Sequence, residues 1–220
     1  MMNLIHFYME NGADLLQGFW YTIQLCFLGV LGAAIFGAII FLLSTIKLTF
    51  VTWLYRLYVD SVRGIPLLIL LFLLYFAGPR VGLLLSAYMC GVVGIIVYGS
   101  AYFSEIYRAG YASIPTGQIE AARCLGIGRR HILFRIRLPY MSSLLLPQVT
   151  NQAIVLIKES AVLSVITVHE LTFVTGDIIN RTYEVVLPYV AAGLLYWIFV
   201  QAVDTIGQFA ERFTHSSRIY

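Results

Sequence analysis

Five long apolar stretches, separated by short polar segments, dominate the hydrophobic pattern of this chain. The uncharged stretches cover 15–46, 64–79, 81–104, 138–157 and 185–203. A helix needs about 20 apolar residues to cross the hydrocarbon core of a bilayer, and four of the stretches meet that length. The second stretch is too short and must extend back through Asp60 and Arg63 to about Leu54. The pattern therefore predicts an all-α membrane protein with about five transmembrane helices.

Turn residues between the stretches set the predicted boundaries. The spans run over about 15–43, 54–79, 81–107, 147–168 and 185–209, with a short amphipathic segment lying at the outer face over 1–14 and an outer loop over 169–184. Gly64 and Pro66 mark a weak point in the second span, because proline removes a helical hydrogen bond. Gly78, Pro79 and Arg80 then form a turn signal.

Small residues inside the spans are expected to pack against neighbouring helices. Gly29, Gly32 and Gly37 lie in the first span, where small residues let helices approach closely in lipid. The cysteines are Cys26, Cys90 and Cys124. They show neither CxxC nor Cys/His metal spacing, so they are expected to be apolar fillers and no metal site is predicted.

Composition supports a polytopic membrane protein. The 220 residues are 60% hydrophobic and 11% charged, and the mean hydropathy is +0.85. Soluble domains carry roughly 25% charged residues. No stretch remains for a large soluble domain, so one domain over 1–220 is predicted. No Lys or Arg precedes the first span, which is the wrong flank for a cleavable signal peptide, so we expect the N-terminal segment to remain.

A basic segment interrupts the apolar pattern between the third and fourth spans. Residues 120–139 hold five arginines, Arg123, Arg129, Arg130, Arg135 and Arg137. A long basic excursion between two spans indicates a cytosolic loop that contacts something on that side of the membrane. We refer to residues 109–139 as the coupling loop.

Two short helices are predicted within the coupling loop. The first covers about 116–125, because Pro115 is tolerated in a first turn, Glu120 lies near the positive end of the helix dipole and Gly126 is a common helix terminator. The second runs over about 129–139. Its apolar face is formed by Ile132, Leu133, Ile136 and Tyr140.

The distribution of basic residues predicts the orientation. Cytoplasmic segments carry an excess of Lys and Arg. With the N-terminus outside and the C-terminus inside, the inner ends hold Lys47, Arg56, Arg63, Arg108, Arg123, Arg129, Arg130, Arg135, Arg137, Arg212 and Arg218. Arg80 and Arg181 fall outside, and Lys158 lies within a span. The net charge of +3 is thus a sign of topology, and no nucleic-acid partner is expected.

A polar stripe on the fourth span is the candidate substrate pathway. Its members are Gln148, Asn151, Gln152, Glu159 and Ser160. Helical spacing places Gln148, Gln152 and Glu159 on one face, with Glu159 near the middle of the membrane. An ionisable residue there usually faces an interior or a water-filled cavity. The alternative is that Lys158 and Glu159 neutralise partners on neighbouring helices.

Two i,i+3 pairs are expected to be structural. Asp60 with Arg63 and Glu105 with Arg108 each lie near a predicted helix end, where opposite charges three residues apart can pair.

The coupling loop resembles a known motif. Glu120-Ala121-Ala122, Gly126, Ile136 and Leu138-Pro139 match the spacing of the loop by which bacterial ABC importer membrane subunits dock on their ATP-hydrolysing subunit. Further segments resemble the polar amino-acid branch of these permeases, the histidine and glutamine type. These are the segments at 63–68, 101–108, 114–120 and 158–160.

The resemblance implies a type I ABC importer permease fold in the bacterial cytoplasmic (inner) membrane. The implied partners are a cytosolic ATP-binding subunit, a second permease subunit, an extracytoplasmic solute-binding protein, the bilayer and a small polar substrate such as an amino acid. Glu120, Ala121, Ala122, Arg123 and Gly126 would couple to the ATPase. The chain lacks G-x-x-x-x-G-K-[ST], so it is not expected to be an enzyme or to bind a cofactor, and ATP and Mg²⁺ belong to the partner.

Three departures from the branch pattern stand at Ile65, at Tyr140-Met141 and at Glu159-Ser160-Ala161. The last lies in the polar stripe and bears on which substrate is carried. Two other functions remain open at this point. One is an ion-coupled secondary transporter or channel subunit using Glu159, although such proteins usually have more spans or an internal repeat. The other is a permease-like half that couples to the ATPase without binding substrate.

Overall fold

The computed structural model describes the backbone over residues 4–46 and 48–216 and the side chains over 7–46 and 48–213. Lys47 and Arg218, which entered the charge count above, lie outside the described residues. Every regular element in the described part of the chain is helical. The fold class predicted from the hydrophobic pattern is therefore confirmed.

Nine α-helices are present in the described ranges. They are α1 (Leu4–Ser44), α2 (Thr49–Gly64), α3 (Leu67–Phe72), α4 (Ala87–Ala112), α5 (Thr116–Cys124), α6 (Arg129–Ile132), α7 (Leu138–Glu159), α8 (Leu171–Thr182) and α9 (Val186–Ser216). Two π-helical turns cover Leu73–Ala77 and Leu133–Arg137, and two 3₁₀ segments cover Gly78–Val81 and Ser160–Ile166. α6, its π turn, α7 and the following 3₁₀ segment form one continuous helical run.

Four helical runs are long and apolar enough to cross a membrane. They cover Phe7–Ser44, Ala87–Ala112, Arg129–Ile166 and Val186–Phe213. A fifth span results if α2 and the run from Leu67 to Val81 count as one broken span. The count of about five agrees with the sequence, but several boundaries differ.

The N-terminal segment does not form a separate surface helix over the residues described. α1 continues through positions 4–14 without a break. Phe7 and Leu15 are buried and pack in one cluster with Leu171 and Ile178 of α8. Tertiary packing thus extends the first span past its polar N-terminal residues.

The second span is bent by 104° between α2 and α3. Ile65 has an extended backbone, with φ −106° and ψ 131°, because the proline ring at Pro66 disfavours a helical conformation in the preceding residue. The weak point predicted at Gly64 and Pro66 is therefore a break within the second span.

The third span begins later than predicted, at Ala87. Gly82 turns the chain with φ +86°, and Ser86 caps α4 by accepting a hydrogen bond of 3.3 Å from the Met89 N–H.

The predicted outer loop at 169–184 is mostly the helix α8. Glu170 caps it, because its carboxylate accepts 2.8 Å hydrogen bonds from the Thr172 and Phe173 N–H groups.

The fourth span begins earlier than predicted and runs from Arg129 to Ile166. Pro139 and Pro147 do not break it. Pro139 lies just after the π-helical turn at Leu133–Arg137 within this run, and Pro147 lies inside α7 with its ring exposed. The helix starting at Pro147 and the separate helix ending at Pro139 were therefore wrong predictions.

The core forms between α1 and α4, which run side by side in the same direction. A Cβ added to Gly37 would lie 2.7 Å from the Phe103 Cβ and 3.0 Å from the Ser100 carbonyl oxygen. Gly29 and Gly32 approach Ile95 and Ile96 in the same way. The three glycines thus allow the close helix packing that the sequence predicted.

Candidate functional site

The helix α5 lies in the coupling loop and has one buried and one exposed face. Ile119 and Ala122 are 8% and 5% exposed and pack with Ile132 and Met141 of the following helical run. Apolar contact with that run fixes the position of α5. The predicted helix at about 116–125 agrees with the observed bounds, Thr116–Cys124.

The exposed face of α5 carries most of the residues predicted for coupling. Glu120, Ala121 and Arg123 are exposed, and Leu125 beyond the helix is 79% exposed. Ala122 does not belong to that face, because it is buried against the protein's own chain. A docking partner would therefore meet Glu120, Ala121 and Arg123, whereas Ala122 holds α5 in place.

Gly126 ends α5 in a left-handed conformation, with φ +73°. Its N–H donates to the Arg123 carbonyl over 2.9 Å, and the Ile127 N–H donates to the Ala122 carbonyl over 3.0 Å. Left-handed backbone favours glycine because it has no Cβ. Gly126 therefore shapes the end of the exposed face and need not contact a partner.

A contact that sequence reasoning missed ties the coupling loop to α4. Arg137 donates a hydrogen bond from Nη1 to the Tyr111 hydroxyl, and its guanidinium carbon lies 4.8 Å from the centroid of the Tyr111 ring. Arg137 belongs to the π-helical turn at Leu133–Arg137. From the sequence, Arg137 was counted only among the basic residues of the coupling loop.

Glu105 is the centre of a charged cluster where α2 crosses α4. Arg108 donates two hydrogen bonds to its carboxylate, of 2.7 and 2.8 Å, and Tyr55 donates a third of 2.5 Å. Arg63 Nη1 lies 3.9 Å from Glu105 Oε2. Among the described residues Asp60 has no ion pair, so the expected Asp60 to Arg63 pair is replaced by contact between Arg63 and α4.

The predicted polar stripe on α7 divides between two environments. Gln148 and Asn151 are exposed, whereas Gln152 and Ser160 are buried and Glu159 is half-buried. The Ser160 hydroxyl donates to the Ile157 carbonyl within its own helical run, over 2.7 Å. Gln152 Nε2 is buried without a hydrogen-bond partner among the described residues. The exposed members are thus available to a ligand, and the buried ones belong to the bundle.

Neither Lys158 nor Glu159 forms an ion pair within the part of the chain that the structure describes. Glu159 instead lies within electrostatic range of the Tyr98 hydroxyl on α4. Tyr98 and Tyr102 place their hydroxyl oxygens 3.2 Å apart, and the Arg63 guanidinium carbon lies 5.3 Å from the Tyr102 ring centroid. Glu159 and Arg63 thus lie on either side of the Tyr98 and Tyr102 pair. The polar stripe was predicted from spacing along a single helix, so it gave no information about these contacts with α4.

At the opposite end of the bundle from α5, a cavity of about 600 Å³ lies between α1, the start of α4 and the segment before α8. Its polar groups come from Gln17, Tyr21, Ser86, Thr167 and His169.

Among the described residues no group of His, Cys, Asp and Glu has the arrangement of a metal site. Cys26 and Cys90 are buried, Cys124 is exposed, and all three are free thiols.

The comparisons with known proteins give the class of this bundle of four or five apolar spans with a basic, helical loop, the transmembrane subunit of an ATP-driven importer. The chain belongs to the family of binding-protein-dependent transport system inner membrane components, whose model matches residues 29–215. It is a multi-pass membrane permease subunit and not an enzyme, since ATP hydrolysis in such importers is carried by a separate subunit.

Relatives and a solved structure agree with that assignment. The chain is 33% identical over 189 residues to the probable amino-acid ABC transporter permease protein YckA of Bacillus subtilis (strain 168), covering 86% of this chain and 84% of that protein. It is 30% identical over 189 residues to the probable glutamine ABC transporter permease protein GlnM of the same organism, covering 86% and 88%. A crystal structure of an amino acid ABC transporter with histidines superposes with a TM-score of 0.89 at 29% identity, covering 96% of this chain and 99% of that one. The type I importer permease fold is thereby confirmed.

Proposed function

We propose that this permease subunit moves a polar amino acid, or a closely related small solute, from an extracytoplasmic binding protein into the cytoplasm. The named substrates of similar permeases support the substrate class, since they include glutamine and amino acids generally. The proposed location is the bacterial cytoplasmic membrane, with the N-terminus outside and the C-terminus inside.

The observation that carries this proposal is the two-sided structure of α5. Its inner face is fixed by Ile119 and Ala122, and its outer face presents Glu120, Ala121 and Arg123. A short helix held from one side and exposed on the other suits docking into a cleft of the ATPase. ATP and Mg²⁺ would be bound by that partner, and this chain would receive the energy through contact alone.

The contacts of α5 supply a route for the movement. Ile119 and Ala122 pack against Ile132 and Met141, and these two residues belong to the helical run that includes α7. Displacement of α5 by closure of the ATPase would therefore be passed directly to α7, which carries Glu159. Rigid rotation of this run between inward-open and outward-open arrangements, biased by nucleotide, is the proposed mechanism.

Docking is tested by comparing substitutions at the exposed Glu120 and Ala121 with a substitution at the buried Ala122. In the assembled importer, Glu120→Lys and Ala121→Arg should abolish transport and binding-protein-stimulated ATP hydrolysis together, while the subunit still inserts and folds. Ala122→Arg should instead destabilise α5 itself, because its side chain would replace a buried methyl group. Normal coupling in both Glu120→Lys and Ala121→Arg would refute the docking surface.

The substrate pathway is proposed to include Gln148, Asn151, Gln152, Glu159 and Ser160, with Glu159 and the exposed Gln148 and Asn151 in direct reach of a solute. Glu159→Gln should reduce uptake and alter the preference among candidate amino acids, because it removes the only carboxylate of the stripe. Uptake unchanged for all candidates would reduce Glu159 to a structural residue.

Family membership removes the secondary-transporter alternative but leaves two questions about the assembly. The second permease subunit can be this chain or a related one, and one half can couple to the ATPase without holding substrate. A structure of the purified importer with bound amino acid would answer both, because substrate density in only one half would identify a non-binding subunit.

A further inference from the structure

A second cavity, of about 710 Å³, lies where α2 meets the last turns of α1 and α4. Phe41 and Ser44 come from the last turn of α1, and Tyr111 comes from the last turn of α4. Because both spans end here, the cavity lies at the depth of lipid headgroups rather than acyl chains. It is separate from α5 and from the polar stripe of α7.

Two opposite charges line this cavity without a partner in the part of the chain that the structure describes. Arg56 and Asp60 are one helical turn apart on α2, and both are exposed. Neither forms an ion pair or hydrogen bond with any other residue that the structure describes. The remaining charges on the wall, Glu105 and Arg108, are bound to each other. Counted over the described lining residues, the cavity therefore offers one available cation and one available anion.

Hydroxyl groups complete the polar wall. Ser44 and Thr45 donate their hydroxyl hydrogens to the Phe41 and Leu42 carbonyls of α1, over 2.6 and 2.7 Å. Thr52 donates in the same way to the Leu48 carbonyl, over 3.2 Å. Since these hydrogens are already used, the three oxygens are left as acceptors, which suits an ammonium group with several N–H donors.

Exposed apolar side chains lie close in sequence to residues that line the cavity. Phe50 and Trp53 of α2 stack with ring centroids 6.3 Å apart and are 70% and 56% exposed. Leu42 and Leu43 of α1 are 60% and 49% exposed. Tryptophan is enriched where protein meets the membrane interface, and exposed leucines beside it provide a surface for acyl chains.

We propose that this cavity binds the headgroup of a zwitterionic phospholipid of the phosphatidylethanolamine type. The phosphate pairs with Arg56, and the ammonium group pairs with Asp60 and the hydroxyl oxygens beside it. Among the lining residues that the structure describes, the balance of one free cation and one free anion favours a zwitterion over an anionic headgroup. A free amino acid has the same two charges, but it would make no use of the exposed Phe50, Trp53, Leu42 and Leu43.

The test uses the complete importer, purified in a maltoside detergent and depleted of lipid. Phosphatidylethanolamine, phosphatidylcholine, phosphatidylglycerol and free L-glutamine are added separately, and retained molecules are counted by native mass spectrometry. We expect wild-type protein to retain phosphatidylethanolamine preferentially, because phosphatidylglycerol has no cation and the methylated amine of phosphatidylcholine cannot donate hydrogen bonds to Asp60.

Two variants separate the charges. Arg56→Gln should weaken phosphatidylethanolamine binding by about tenfold or more, since a charge-assisted hydrogen bond contributes about 1.5–3 kcal/mol. Asp60→Asn should weaken it by a similar factor and improve retention of phosphatidylglycerol, because it removes the negative charge that repels an anionic headgroup. Arg212→Gln and Asp204→Asn, which change charges on α9 that do not line this cavity, should leave lipid retention unchanged.

The lipid preference is measured on the wild-type importer. The proposal is therefore still tested if Arg56→Gln or Asp60→Asn disturbs assembly. Equal retention of the three lipids, retention of L-glutamine in place of lipid, or equal loss in the α9 controls would each overturn it.

Discussion

Tyr55 and Glu105, fifty positions apart in sequence, are joined by a hydrogen bond in which the Tyr55 hydroxyl donates to the Glu105 carboxylate over 2.5 Å. The bond fixes α2 against α4. Arg108 donates hydrogen bonds to both oxygens of the same carboxylate. The strongly bent second span therefore has a defined anchor at the end of the bundle where α4 leads into the coupling loop.

Removing that anchor should destabilise the subunit. We expect Tyr55→Phe to lower the free energy of unfolding by about 1.5–3 kcal/mol, the contribution typical of a hydrogen bond to a charged group. Thermal unfolding of the purified importer would show it as a lower Tm. Tyr189→Phe is a matched control, because Tyr189 is 55% exposed and has no hydrogen bond among the described residues. Equal Tm values for the two variants would contradict the anchoring role.

Two glycines on α1 should respond in opposite ways to the same substitution. Gly37→Ala places a Cβ against backbone atoms of α4, which cannot move aside as a flexible side chain can, so we expect a loss of about 1–3 kcal/mol. Gly12→Ala meets no atom within 4 Å, and should be neutral or stabilising by up to about 1 kcal/mol, because alanine favours helix. The yield and Tm of the assembled importer would measure both. A stable Gly37→Ala protein would show that the α1 to α4 contact is not tight.

The end of α5 provides another matched pair. Gly126→Ala forces a side chain into the left-handed conformation, at a cost of roughly 1–2 kcal/mol, and should loosen α5. Gly128→Ala keeps an ordinary extended backbone, with φ −64° and ψ 150°, and meets no neighbour. Limited proteolysis of the coupling loop should therefore accelerate in the first variant and not in the second. Identical cleavage rates would mean that the turn can relax without strain.

The buried carboxyl that caps α8 should make stability depend on pH. Burial raises the pKa of Glu170, although hydrogen bonds from the Thr172 and Phe173 N–H groups and the Tyr196 hydroxyl oppose the shift. Because the native pKa lies above the unfolded one, the native state holds the proton more tightly. The stabilising contribution is therefore full below the unfolded pKa and is lost as pH rises through the native pKa.

The measurement compares wild type with Glu170→Gln, which does not titrate. The Tm of wild type relative to the variant should fall in a pH series that starts near the ordinary glutamate pKa of about 4.3 and runs upward. Glu184→Gln, a change in the same connection between spans, shows how much of any trend comes from loss of one negative charge. A constant difference between wild type and Glu170→Gln across this range would exclude the proposed linkage.

Local signals in the sequence predicted the coupling loop well. α5 begins after Pro115 and ends at Gly126 because backbone geometry at these two residues depends on their own side chains, whatever they pack against. The break at Pro66 was recognisable for the same reason. Its angle was not, because the direction of α3 depends on packing against α4.

Errors occurred where tertiary contacts overruled local preference. Polar residues at positions 4–14 suggested a separate segment, yet packing of Phe7 and Leu15 on α8 continues α1 through them, and Arg181 donates to Asp14 over 2.7 Å. Spacing alone paired Arg63 with Asp60, but Glu105 on α4 lies within its reach. Arg137 likewise contacts Tyr111, and no rule of sequence spacing predicts that contact.

The sequence by itself determined the membrane class, the approximate number of spans, the position of the coupling loop and the family, because hydrophobic length and motif spacing are linear properties of a chain. Tertiary structure alone decided which residues meet. It placed Ala122 inside and Ala121 outside, brought Glu159 near Tyr98, and left Arg56 and Asp60 beside a cavity with no ion pair to any residue that the structure describes. The physical reason is that helix packing sets each side chain's exposure and partners, and contacts between distant helices leave no periodic signal in the sequence.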